Sequence, residues 1–157
     1  MKKTLIKLLV LYLFCSCNFK GDRKNSNIIK NVNTFVRSHN IVRDTYLVVV
    51  PNQGCPGCIT VAEQFVKENY SNKKLTIVFT SVMSLKILKN QMGEEILNSQ
   101  NVFIDSSDVL LNQIPDAYYP FWVHIKGNKI GEVFFQSPKI SAMDELRSEL
   151  KKIRNEI

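Results

Sequence analysis

Residues Thr45 to Val50 form an unbroken run of β-branched and apolar side chains, and the chain then reads Pro51-Asn52-Gln53-Gly54-Cys55-Pro56-Gly57-Cys58. The run is short, which favours a strand over a helix. It also lacks polar alternation, so the strand must be covered on both faces. Pro51 to Gly54 punctuate it, and Cys55 to Asn69 then read as a helix with Ile59, Ala62, Phe65 and Val66 on one side. A strand, a short loop and a helix opened by two closely spaced thiols constrain this chain more than anything else in it.

The elements around this unit follow from the same patterns. Ile28, Ile29, Val32, Phe35 and Val36 recur at helical spacing and predict a leading helix up to His39. A second buried-type strand is expected at Leu75 to Thr80. A helix lined by Met83, Ile87, Leu88 and Met92 follows and closes near Gly93. Asn101 to Asp105 predicts a short strand, and Val109 to Gln113 a helical turn. Phe121 to Lys126 and Lys129 to Phe135 flank Gly127-Asn128, the signature of a tight antiparallel hairpin. Ser141 to Asp144 resembles a capping box that satisfies exposed helix-start amides. The helix it opens takes its apolar face from Ile140, Met143, Leu146, Leu150 and Ile153. Early strands joined by helices pair in parallel, whereas the hairpin adds antiparallel strands. The expected fold class is α/β, a mixed central sheet with helices on both faces and a β-α-β-α-β-β-α core behind an N-terminal helix.

The first residues belong to a different argument. Lys2, Lys3 and Lys7 flank an apolar run from Leu8 to Phe14, and Cys15, Ser16 and Cys17 follow. A positive region, a short apolar region and small residues make a secretory leader. The run falls short of the about 20 apolar residues that span a bilayer. Phe14-Cys15-Ser16-Cys17 resembles a bacterial lipobox, although Phe14 and Cys15 stand where Leu and a small residue are usual. The resemblance implies that Cys17 is acylated and becomes the first mature residue. Plainer alternatives are ordinary cleavage nearby or an uncleaved anchor. The expected organisation is a leader over 1–16, a polar tether over 17–27 and one domain over 28–157. A lipid-anchored position in the cell envelope, facing the periplasm, goes with it.

Charge and cysteine content narrow the partners. The net charge is +7, but three of the 21 basic residues leave with the leader, and 14 acidic residues offset all but four of the rest. Part of that excess is early, at Lys20, Arg23, Lys24, Lys30, Arg37 and Arg43, and reads either as attraction to anionic headgroups or, more plainly, as a solvated tether. Nothing in the sequence calls for nucleic acid. Of four cysteines, Cys15 goes with the leader and Cys17 carries lipid, so Cys55 and Cys58 remain. One close pair in an oxidising compartment points to a redox motif rather than a multi-bridge scaffold.

The thiols sit where chemistry favours them. A thiolate, not a thiol, attacks sulfur, and the positive end of a helix stabilises it, lowering a pKa of about 8.5 into the range of roughly 3.5–7.5. Pro56 suits the first helical turn, where its missing N–H would be unpaired anyway. Cys55 is the expected attacker and Cys58 the more buried resolving thiol, with exchange through a mixed disulfide.

Strand, loop and Cys55-Pro56-Gly57-Cys58 together, with Tyr119-Pro120 just before the Phe121 strand, resemble the thioredoxin superfamily and most closely its exported TlpA-like thiol–disulfide oxidoreductases. The resemblance runs from about Tyr46 to the C-terminus. It implies a thioredoxin-like fold, a cis bond at Pro120, and substrate pairing by the backbone of Tyr119. It also implies disulfide-bearing envelope proteins as partners, a membrane electron donor and no cofactor. The insert around Val102 to Gln113 also looks TlpA-like. The chain departs from thioredoxin itself at Gly54, where a Trp is usual, and in the order Pro56-Gly57. It departs again at Val49 and Phe79, which align with the family's buried carboxylate and a nearby lysine.

Each reading has a plainer counterpart. Cys55 and Cys58 alternatively form a structural disulfide in a non-catalytic interaction lipoprotein, and Pro120 alternatively opens a strand in trans. His124 with the two cysteines suggests a copper chaperone, set below the reading without metal. Tyr118, Tyr119, Phe121 and Trp122 suggest partner docking or core. Met83 and Met92 read as core, and His39 is assigned nothing.

Overall fold

Strand β1 (Thr45–Pro51) is buried along its whole length because both of its faces are covered. Tyr46, Val48 and Val50 point into one apolar layer, and Leu47 and Val49 into the other. The computed structural model describes residues 19–41, 44–114 and 119–155. In chain order the elements are α1 (Phe19–Ser38), β1, α2 (Pro56–Asn69), β2 (Leu75–Thr80), α3 (Leu85–Met92), α4 (Glu94–Leu97), β3 (Val102–Asp105), β4 (Phe121–Lys126), β5 (Lys129–Phe135) and α5 (Ala142–Asn155).

The strands form one sheet in the order β3-β2-β1-β4-β5. β1 pairs with β2, and β2 with β3, in parallel, whereas β4 and β5 add antiparallel pairs. This is the mixed sheet with helices on both faces expected from the sequence, compatible with a thioredoxin-like α/β fold. Gly127 carries the positive φ of +60° that the first position of the two-residue β4–β5 turn requires. One face packs on α2, α3, α4 and α5 through residues such as Phe65, Leu88, Ile96 and Leu146. The opposite face packs on α1 through Ile28, Val32 and Phe35, with Leu110 and Ile114 completing the layer. Buried Trp122 crosses to α5, where its Nε1–H donates to Ala142 O at 2.8 Å and its ring stacks on Phe134.

Several boundaries differ from expectation. The leader and Cys17 lie outside the described residues. The polar stretch expected as a tether is helical from Phe19, and Ile28, Val32 and Phe35 seat this helix in the core. Turns replace the helical turn expected over Val109 to Gln113, because Val109 and Leu110 give their N–H groups to the buried Asp105 carboxylate at 3.1 and 2.9 Å. Ser84, not Met83, opens α3, its hydroxyl accepting from Ile87 N–H, and Met83 lies outside the core at 80% exposed. Met92 is buried as expected. Ile140 precedes α5 and is 57% exposed instead of joining its apolar face. Among the described residues no helix is long and apolar enough to cross a membrane.

Candidate functional site

The chain leaves β1 at Pro51 and is fastened at once to the end of β2. Asn52 N–H donates to Thr80 O at 2.9 Å, and Gln53 Nε2 donates to Ser81 O at 3.4 Å. Gly54 then takes φ +136°, a conformation that glycine tolerates and other residues avoid. The turn delivers Cys55 as the N-cap residue of α2, with extended backbone at φ −71° and ψ 105° and Pro56 in the first helical turn. Cys55 O accepts from Ile59 N–H at 3.0 Å, the first bond of the helix.

Cys55 and Cys58 are joined in a disulfide, with their Cα atoms 5.3 Å apart. The two sulfurs differ in surroundings. Cys58 is 3% exposed and, like Ala62, Phe65 and Val66, is a buried residue of α2, while Cys55 is half-buried and Pro56 and Gly57 are exposed. No side-chain cap bonds the first-turn amides, and no acidic residue stands in that turn. The positive end of the helix is therefore left for sulfur.

A groove runs past the disulfide. Cys55, Gly57, Cys58 and Val61 form one wall, and the 136–141 connection between β5 and α5 forms the other. Gln136 holds that second wall. It is 5% exposed, its backbone N–H donates to Pro120 O at 2.8 Å, and its Oε1 accepts from Met143 N–H at 3.1 Å in the first turn of α5. The expected capping box takes a different form. Ser141 Oγ donates to the Asp144 carboxylate, Ser141 O accepts from Asp144 and Glu145 N–H, and the Met143 amide goes to Gln136. Sequence reasoning missed Gln136 as a site residue. The only signal was its place in a Gln-Ser-Pro stretch between a strand and a helix start.

Pro120 is buried at the head of β4, at the same end of the sheet as Cys55, since Phe121 pairs with Val49 late in β1. The expected cis bond is not found. No described peptide bond is cis, Tyr119–Pro120 included. Pro120 instead opens the strand in trans with its carbonyl engaged by Gln136, a position that suits a residue lacking N–H. Tyr119 is half-buried beside it, Phe121 and Trp122 are core, and Tyr118 lies outside the described residues.

His124 does not join the cysteines. It pairs with Tyr46 at the start of β1, stacks on that ring at 4.3 Å and lies 3.5 Å from Asp44. Five residues of strand, about 17 Å, separate Tyr46 from Pro51 alone. Among the described residues no cluster of three or more metal-ligating side chains occurs. His39 stacks on Phe35 at 4.1 Å. Val49 and Phe79 are both enclosed but face opposite sides of the sheet, Val49 toward α1 and Phe79 toward the α2 layer, so they do not meet beside Cys58. Glu63, on the same helix as the cysteines, is held above the usual carboxylate range by burial, an effect Lys67 partly opposes.

Comparison of the chain with protein-family models, curated proteins and solved structures finds no match. The chemistry of the site is read from its geometry alone.

Proposed function

We propose that the chain exchanges disulfides with envelope proteins through Cys55 and Cys58, held at the membrane by lipid on Cys17. The observation that carries this reading is the unequal exposure of two bonded sulfurs at the uncapped start of α2. In the reduced protein the Cys55 thiolate attacks a partner disulfide. A mixed S–S bond forms, the partner's bond breaks, and its leaving sulfur takes a proton. Cys58, deprotonated in turn, attacks the Cys55 sulfur and releases the partner's second thiolate. The Cys55–Cys58 disulfide returns, and the partner has gained two electrons and two protons. A thiol reductant or membrane electron donor must then reduce the chain for another turn. With Val49 and Phe79 apolar, the proton on Cys58 leaves to water or to the departing partner thiolate.

Insulin or glutathione exchange by the wild type, Cys55→Ser and Cys58→Ser tests this. Cys55→Ser is expected to lose all exchange, whereas Cys58→Ser retains attack and accumulates mixed disulfides. Turnover unchanged in both variants overturns the proposal. The apolar residues at Val49 and Phe79 favour a second reading, a lipoprotein whose closed disulfide only braces the helix start. Alkylation of the reduced chain across pH separates the two. Exchange predicts a Cys55 thiol reactive well below the free-thiol pKa of about 8.5, and bracing predicts an ordinary one.

A further inference from the structure

The disulfide and the start of α1 lie at the same end of the sheet. Asn27 Nδ2 donates to Gln113 O at 3.5 Å, and Asn31 Nδ2 donates to Leu110 O at 3.2 Å and Asn112 O at 2.8 Å. Those carbonyls belong to the connection that leaves β3 at its C-terminal end. β3, β2 and β1 are parallel, so Cys55 leaves the sheet at this end too. Further along α1, Val36 and Arg37 lie beside Gly127 and Asn128, the turn at the opposite end of the sheet. α1 therefore runs antiparallel to β1. It continues nine residues beyond Ile28 to Phe19, a rise of about 13 Å.

A second observation concerns the same end. Among the described residues, the large apolar side chains left exposed are Val61, Met83, Leu85, Ile87 and Ile140. Val61 and Ile140 line the disulfide groove. Met83, Leu85 and Ile87 follow β2 where its end is bonded to the Asn52–Gln53 loop. Exposed Lys86 and Lys139 are their sequence neighbours. Of the exposed acids at this end, Asp108 is engaged by Ser81 N–H and Thr80 Oγ1, Asp144 by Ser141 Oγ and Arg147, and Glu145 stands in the first turn of α5.

We infer that the disulfide-bearing end of the domain lies against an anionic lipid bilayer, with Met83, Leu85 and Ile87 in the interface and Lys86 and Lys139 at the headgroups. The inference rests on the proposed lipid at Cys17, two residues before α1. Two extended residues add at most about 7 Å, so the domain is held within about 20 Å of its anchor. Under the exchange reaction proposed above, its partners are disulfides at the membrane surface, close to the headgroups. A soluble polypeptide partner would use the same apolar side chains, but it gives no reason for α1 to emerge at the same end of the sheet.

The test places an indole at either end of the sheet of the full chain, in vesicles containing anionic lipids brominated on their acyl chains. Met83→Trp is expected to lose most of its added emission to the bromines, and Lys126→Trp, at the hairpin end, to keep it. Adding Lys86→Glu and Lys139→Glu to Met83→Trp should restore emission. Equal quenching at both ends, or none at position 83 in a chain whose mass shows acylation, overturns the inference. So does a Met83→Trp emission protected only when a soluble disulfide-bearing polypeptide is added. The asymmetry in an unacylated chain supports the orientation while the anchor assignment fails. None of these readouts depends on sulfur exchange, which Cys58→Ser trapping reports separately.

Discussion

Replacing Gln136 with Met isolates what holds the second wall of the groove. The two side chains have similar length, so the substitution opens little space, but the amide oxygen that accepts from Met143 N–H is gone. Gln136 is 5% exposed, so water has little access to replace that acceptor. An unsatisfied buried N–H costs about 1–3 kcal/mol. For a chain of this size each kcal/mol moves Tm by about 2–4 °C, so Gln136→Met should melt roughly 2–12 °C below the wild type. Gln136→Glu keeps an acceptor facing the positive end of α5 and should recover part of that loss. The assay is thermal unfolding of the oxidised proteins followed by circular dichroism. A Gln136→Met melt within about 1 °C of wild type would refute the assignment of this side chain as the cap of α5.

Three further outcomes follow from the packing. The Cys55–Cys58 bond closes a ring of about four residues, worth about 2 kcal/mol in the chain-entropy estimate, so reduction should lower Tm by roughly 4–8 °C in calorimetry. Glu63 has a folded pKa above its unfolded value, so the folded chain holds the proton more tightly and stability falls as pH rises through that interval. Glu63→Gln should therefore be more stable than wild type at neutral pH, with the advantage shrinking toward the lower end of the carboxylate range, as read from urea midpoints at each pH. Trp122→Phe removes the donor to a buried carbonyl and should cost about 1–3 kcal/mol by urea titration.

Much of the fold was legible because burial writes itself into composition. A central parallel strand has no solvent face, and Thr45 to Val50 shows none. Gly127-Asn128 announced the hairpin, and Cys55-Pro56 announced a helix start, because each position demands a special residue. The misses arose where long-range bonds or missing partners decide. The first turns of α1 are polar in sequence, so no apolar period marks them as helix. The Asp105 carboxylate takes two amides that a helix would otherwise use, which no local pattern reveals. Met83 and Ile140 read as core because apolar residues near a helix usually are, yet both remain outside. Gln136 connects Pro120 to Met143, positions separated by 23 residues in sequence and invisible as a local motif. Pro120 shows the limit of resemblance, since its place at the sheet end was expected correctly and its isomer was not.

Among the described residues, α1 is the sole helix over one face of the sheet. A protease that cut between Ile28 and Phe35 would bare Leu47, Val49, Val78, Phe121, Val123 and Ile125 together, a continuous hydrocarbon stripe. Shortening of the N-terminus thus has a hard inner boundary at Ile28. A chain shortened past Ile28 would carry that stripe uncovered and prone to association.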